Sequence, residues 1–452
     1  MRNAKQRGAA TLVVVMVLFF IISMVAAYTS RSMIFEQRTG ANLYRASQSF
    51  EAAEAGMNWA LMMLNGGRIN AQCGATTSSS NDTFRQRYLN IDAATGLITA
   101  RSQTSGDPLT PTCVFDGQAG TWSCSCPVDS APVLSAPTGN AVSPAFRMRF
   151  RVLNVAPGSP QPGLVRIDIV GCTRLDNGCL DVAGASLANE GRTVTGSVLM
   201  LSGRATSFPL SALTARGAVT ASGMNLVNTA STGSGVTVHA SGAINTSGLA
   251  LTTSAGNALS GSTLPSDAAL DPPAIAASGT APGITAAERF FAATFMLPPQ
   301  RWIQMPGVVT VDCGSSDCDA ATVRTAITNN PGRPLWLTGG LTVNSTNDIG
   351  SATAPVMMVI NGNLEFSAAG VTVHGLLMLR PADPAVGWDI GASTALGTIR
   401  GAVVVDGAVT RSGGGTSSIM AVNYDSGVLA NLRTSSGTFF RVAGSWRDWA
   451  LP

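Results

Sequence analysis

Residues Ala9 to Ala27, AATLVVVMVLFFIISMVAA, run for nineteen positions without a charge. A helix rising about 1.5 Å per residue needs roughly that length to cross a bilayer core of about 30 Å, so the segment reads as a membrane span. Arg2, Lys5 and Arg7 precede it, and by the positive-inside rule they keep the short N-terminus in the cytoplasm and place everything after Tyr28 outside. A cleaved secretory signal would have a shorter apolar stretch, ending at a small-residue site before non-helical sequence. Here the helical pattern continues. The first proline is Pro108, and apolar residues recur at Phe50, Ala53, Met57, Leu61 and Leu64, an interval that fits one helix face. One helix from Ala9 to Leu64, roughly 80 Å long, is expected.

A short basic leader ending in Gly8, an apolar half-helix beginning at Ala9, and an amphipathic half-helix carrying Gln48, Phe50 and Glu51-Ala52-Ala53-Glu54-Ala55-Gly56 together resemble the N-terminal region of PilX-type minor pilins of type IV pili. The resemblance covers about the first 65 residues. It implies cleavage after Gly8 by a prepilin peptidase, methylation of the new N-terminus at Ala9, and entry into a fibre through a subunit-packing helix on which Val13, Phe50, Glu51, Glu54, Met57 and Leu61 are the residues to watch. In most pilins of this kind the fifth mature residue is a glutamate, and here that position is Val13. A carboxylate in hydrocarbon is costly unless paired, so a subunit with nothing above it loses little by lacking one, which fits a place at or near the pilus tip. The resemblance further implies other minor pilins and the major pilin as partners, together with a tip adhesin, the inner-membrane assembly machinery and the peptidase. The subunit would be an inner-membrane single-pass protein before assembly and lie on the pilus afterwards.

Composition narrows the chemistry. Charged residues are only 12% of the chain, and a single lysine, Lys5, stands beside 27 arginines and two histidines. Without a lysine beyond the leader there is no Schiff-base or P-loop chemistry, and a His-rich metal site is excluded. The +3 formal charge is matched by the leader's three cations, so the remainder has no electrostatic footprint for nucleic acid. No cofactor is expected.

Eight cysteines without zinc-finger spacing favour disulfides in an oxidising compartment. Cys172 and Cys179 flank an Asp176-Asn177-Gly178 turn, and Cys313 and Cys318 enclose a tight loop, so each pair can close locally. Cys73, Cys113, Cys124 and Cys126 leave three connectivities open, with Cys124 and Cys126 too close along a strand to pair comfortably. Asp312, Asp317 and Asp319 around the second loop are oxygen ligands of the type that holds Ca²⁺, but their spacing is not that of an EF-hand, and a solvated loop is the simpler reading.

Residues 146–152 and 165–170 alternate apolar and polar across Pro-Gly punctuation, an antiparallel hairpin with one face buried and its arginine face solvated. Gly217 to Ser266 holds no formal charge and carries apolar pulses at Val219, Leu226, Val236 to Val238 and Leu249 to Leu251. Similar pulses return at 356–360, 371–374, 376–379 and 402–405, and Gly-Val-Thr-Val-His occurs at both 235–239 and 370–374 as a weak repeat. Short strands between Gly, Asn and Ser turns suit a parallel β-helix. A flat sandwich or a flexible linker are the alternatives. Thr285 and Glu288 form a capping-box pattern before a helix ended by Pro298-Pro299, and a second helix is expected from Ala320 to Asn329 behind Asp319.

The whole reads as an α+β chain: leader 1–8; pilin helix 9–65, with 9–27 transmembrane; a disulfide-containing head 66–203 built on a small antiparallel sheet; a solenoid-like segment 204–280; a helical insertion 281–334; and a C-terminal solenoid-like domain 335–452, whose Trp446 and Trp449 are expected to dock. The expected role is structural and not enzymatic. Rivals are a pseudopilin of a type II secretion system and a membrane-anchored carbohydrate-active β-helix protein. The last needs an acidic cleft, for which Asp406 and Glu365 are isolated candidates; His239 and His374 read as strand-edge residues.

Overall fold

The computed structural model describes residues 7–448 except 79, 93–94, 140–142, 157–158, 182–190, 204, 206, 232–233, 255–260, 279–281, 384–385, 414–416 and 418. The leader residues 1–6 and Trp449 lie outside the described residues.

A single helix, Arg7–Leu64, opens the chain. No proline interrupts it, and at 1.5 Å per residue it is about 85 Å long. Its last five turns lie on a six-stranded antiparallel sheet in the order Thr438–Arg441, Arg192–Ser202, Ser159–Cys172, Ala145–Ala156, Thr112–Asp116, Thr121–Ser125. The hairpin expected at 146–170 forms its centre, with Met148 opposite Ile169 and Phe150 opposite Ile167. Phe146, Met148, Val165, Ile167 and Ile169 face the helix and are buried. The opposite, arginine-bearing face departs from the solvated surface expected. Asp168, 2% exposed, accepts ion pairs from Arg151 at 3.1 Å and Arg166 at 2.7 Å, while Arg147 donates to Thr112 Oγ1 and Asn177 Oδ1. A small second core around Val114, Val170, Cys172 and Leu180 fills the same side.

The β-rich remainder winds in coils whose strands stack in parallel. One column runs through Val309–Val311, Leu335–Leu337, Val356–Ile360, the second halves of Thr372–Leu379 and Gly397–Val405, then Leu213–Ala215, Val238–Ala240 and Thr263–Leu264. A second passes through Cys318–Asp319, Leu341–Val343 and Leu364–Phe366, continues at Trp388–Asp389 beside Val409–Thr410, and reaches Val219 and Ile244. The third joins the first halves of Thr372–Leu379 and Gly397–Val405 to Met420–Tyr424, Met224–Asn228 and Leu249–Thr253. Inward residues of all three columns make one apolar core from Leu213 to Val422.

The stacking order is not the chain order. The coil that begins at Leu213 sits on the coil that begins at Gly397, with Leu213 paired to Val403 and Met224 to Met420. The two β-rich segments therefore form a single solenoid, in which the coils nearest the N-terminus are stacked beyond the last. Arg216 locks this seam: its Nε meets the buried Asp406 at 2.5 Å and its Nη1 meets Asp271 at 3.0 Å. The repeated pentapeptide is not a structural repeat. Val238 lies in the first column, paired with Leu213, and Val373 in the third, paired with Ile399.

The first column is sheathed outside by the helices Ala286–Phe295, Pro299–Trp302 and Ser426–Ser435, which cover Trp336, Met357, Val359, Met378 and Val404. Strands buried on both faces need continuous apolar sequence, which accounts for Val-Met-Met-Val-Ile at 356–360, where every residue is buried. Met224–Asn228 has no such cover, and its burial alternates. The capping box of Thr285 and Glu288 closes both ways, and Asp319 caps Ala320–Asn329 by accepting from Thr322 N at 2.7 Å. Adjacent coils turn the corner between columns at Gly375 and Gly401. At Gly401, φ is +134° and a Cβ would lie 2.0 Å from the Gly375 carbonyl oxygen, so only glycine fits.

After Ser426–Ser435 the chain leaves the solenoid and returns to the head. Thr438–Arg441 pairs antiparallel with the end of Arg192–Ser202, Thr438 opposite Ser202. Residues 203–437 thus occupy the turn of a β-hairpin in the head sheet.

Candidate functional site

The long helix divides at about Arg45. From Thr11 to Tyr44 its side chains are exposed, including Val13 at 58%, Phe19 at 70% and Phe20 at 75%. Its most apolar window is wholly unburied and is long and apolar enough to cross a membrane. Gly8 and Ala9 belong to this helix.

From Arg45 onward one face is seated on the head through small residues. Ser49, Ala52, Ala53, Met57, Ala60 and Leu64 are buried, and Ser49 Oγ shares a 2.7 Å hydrogen bond with Thr193 Oγ1. Helix and sheet meet almost backbone to backbone: a Cβ on Gly171 would lie 2.1 Å from the Ser49 carbonyl oxygen, and one on Gly191 2.1 Å from that of Arg45. From the helix side, a Cβ on Gly56 would lie 2.9 Å from the side chains of Phe146 and Ile169. Met57 therefore serves the subunit's own core and faces no neighbour, and Leu61 is half-buried at its edge.

Phe50, Glu51 and Glu54 take another direction. Phe50 is 38% exposed and packs edge-on against Trp446 at 6.1 Å. Glu54 accepts the Trp446 indole N–H at 2.7 Å. Glu51 is exposed and accepts only a long bond from Ser47 Oγ among the described residues. Arg447 exchanges both backbone hydrogen bonds with Gly196, so the C-terminal segment, through Trp446, docks where the helix leaves the head.

The far end of the helix is held by Arg85, which sequence reasoning passed over. It is 6% exposed, and its five N–H groups donate to the carbonyls of Leu64 (twice), Ser435, Ser436 and Gly437, with its guanidinium 5.0 Å from the Phe439 ring. Burial pulls its pKa down to about 10. Asn65 completes the joint, exchanging side-chain hydrogen bonds with both the N–H and the C=O of Phe439. Arg85 lies within a Thr83–Gln86 capping box, the one local signal that could have drawn attention to this segment.

The cysteines pair as Cys73–Cys126, Cys113–Cys124, Cys172–Cys179 and Cys313–Cys318, with none free. The first two tie the loop after the helix to the sheet and cross-link neighbouring strands. Replacing both Cys313 and Cys318 by serine is expected to cost about 2 kcal/mol for so short a loop, read as a lower urea midpoint with an unchanged slope.

The three aspartates around that loop each serve the backbone. Asp312 accepts from Gly314 N, Asp317 from Gly340 N and Asp319 from Thr322 N, and among the described residues no group is arranged to hold a metal. Asp406 and Glu365 are not brought together as an acid pair: Asp406 is spent on Arg216, and Glu365 is raised in pKa by its own burial and then by Asp317 and Asp389. His239 contacts Asp267 at 2.6 Å and His374 lies 4.0 Å from Asp348, in different columns.

No curated protein matches the chain. Among solved structures, the competence-associated pilin ComZ from Thermus thermophilus aligns over 89% of this chain and 97% of its own at 9% identity, with a TM-score of 0.20, too low to bear on the fold. Residues 7–58, by contrast, match the family described as PilX N-terminal. That match spans the exposed apolar half of the helix and its seat on the head as far as Met57, and over those residues the chain is similar to the N-terminal segment of that family.

Proposed function

We propose that this chain is a minor pilin of a type IV pilus that works by assembly and display, without catalysis. The observation that carries the reading is the continuous exposed apolar surface of residues 11–44, projecting from a head that begins at Arg45, within a segment matched to the PilX N-terminal family. A surface of that size is tolerated only in lipid or among similar helices. In this reading the leader is removed after Gly8, Ala9 becomes the methylated N-terminus, and the helix anchors the subunit in the inner membrane with its head in the periplasm until it enters the fibre beside other minor pilins and the major pilin. Val13 in place of a carboxylate suits the tip, where no subunit above presents an amine to neutralise, and the solenoid would there present or accompany an adhesin, supporting adhesion, aggregation and twitching.

Intact mass and N-terminal sequencing of the protein from membranes, with and without the prepilin peptidase, test the class. A methylated, peptidase-dependent Ala9 is the expected result, and an intact Met1 in both strains overturns it. Gold labelling of sheared pili tests the position: label at one end is expected, and even spacing along the fibre removes the tip assignment.

A further inference from the structure

Between the apolar span and the head, residues 28–44 of the long helix are exposed throughout. Arginines stand here at every seventh position, Arg31, Arg38 and Arg45, the last half-buried at the rim of the head. Seven residues are almost two turns, so the three form one row with about 10 Å between neighbours. None has a side-chain hydrogen bond or ion pair among the described residues. The positions three and four away from each hold no acid that could neutralise it along the helix. Glu36, the only acid between Thr11 and Phe50, is two residues from Arg38 and so stands about 200° away round the helix.

A second row with the same repeat, Ala27, Ile34 and Ala41, runs beside the arginines. Ile34 is 51% exposed, and Phe35 next to it is 71% exposed. An apolar row edged by charges of one sign is the pattern by which a helix selects a second helix of opposite charge. The next position of the arginine repeat is Ala52, which is buried against the head. The row therefore continues the seat of the helix, and what covers it lies on the head's side, directly below the head. Lipid does not fit the whole row. With the span ending at Ala27, Arg38 is about 17 Å and Arg45 about 27 Å further along the helix, past a headgroup layer of about 5–8 Å.

We propose that this row docks an acidic helix of the subunit packed beneath the head, one that presents carboxylates at seven-residue spacing to Arg31, Arg38 and Arg45 and apolar residues to Ile34 and Phe35. This rests on the minor-pilin reading and adds to it the chemistry of the neighbour.

The test exploits the absence of lysine from residues 9–452. Arg31→Lys, Arg38→Lys and Arg45→Lys, made singly in the full chain, each supply one side-chain amine at a known point of the row. A water-soluble carbodiimide, applied to sheared fibres, joins such an amine to a touching carboxylate as an amide, and mass spectrometry of the linked peptides names the acid. Links to one helix of another subunit are expected, at positions seven residues apart in successive variants. Replacing all three arginines by glutamine should lower the amount of subunit in the fibre by about tenfold, as loss of three exposed ion pairs does, while processing at Ala9 is unchanged. Links to this chain's own acids or to lipid, linked positions without helical spacing, no link at all, or undiminished incorporation of the glutamine variant overturns the proposal. A parent that keeps Met1 and stays out of fibres overturns the minor-pilin reading and this proposal with it, whereas a processed parent found in fibres, with variants that give none of the expected links, overturns this proposal alone.

Discussion

Alanine at Gly171 is expected to destabilise the head by about 4 kcal/mol, near the upper end for a single substitution. The added Cβ would sit 2.1 Å from the Ser49 carbonyl oxygen and 2.6 Å from the Ala53 nitrogen. Both are backbone atoms inside a helix, so neither can rotate aside as a side chain would. The helix must then lift from the sheet, and the tight packing of Ala53, Met57, Ala60 and Leu64 is lost together. Urea unfolding of the full chain in detergent, followed by the fluorescence of Trp59, which lies 5.4 Å from Phe84 in this interface, gives the measurement. Gly40→Ala is the control. Nothing lies within 4 Å of a Cβ there, so the change should be neutral or stabilise the helix by up to about 1 kcal/mol. Equal stability of Gly171→Ala and the parent would mean that helix and sheet are not in backbone contact.

Arg85→Met should cost about 3 kcal/mol, because it preserves bulk and removes every donor from a buried ring of carbonyls at Leu64, Ser435, Ser436 and Gly437. The damage should be local before it is global. Amide exchange is expected to speed up through 435–441, where the solenoid chain rejoins the head sheet, while strands 356–360 and 401–405 keep their protection. Arg85→Lys should recover part of the stability, having three donors for the same acceptors. Unchanged exchange at 435–441 in Arg85→Met would remove Arg85 from its assigned place as the clamp of that joint.

Features specified by neighbouring residues were readable without a structure. The unbroken helix follows from nineteen uncharged residues and the absence of proline, the central hairpin from strict alternation in 146–152 and 165–170, and two helix starts from Thr285–Glu288 and Asp319. What escaped reading depends on partners far apart in sequence. Alternation in Gly-Val-Thr-Val-His says which residues point inward, but not which column the strand joins, and its two copies join different ones. The pairing of Leu213 with Val403 leaves no trace in either strand alone. Cys73 and Cys126 lie together where Cys126 N donates to the Ala71 carbonyl and the buried Arg87 gathers the carbonyls of Ile69, Asn70 and Cys126. Phe50 has the spacing of a core residue but lies outside the head core, 38% exposed, and its aromatic partner Trp446 arrives from the other end of the chain.

The place of the solenoid in the head sheet has a consequence for how such a subunit can change. Ser202 and Thr438 face each other across a ladder, so the chain departs and returns at one point, and what lies between can lengthen, shorten or be exchanged while the strand order of the head and the register of its helix stay the same. The helix-bearing head and the solenoid can thus vary independently: an insert of any size that offers neighbouring ends can be mounted on the same stem.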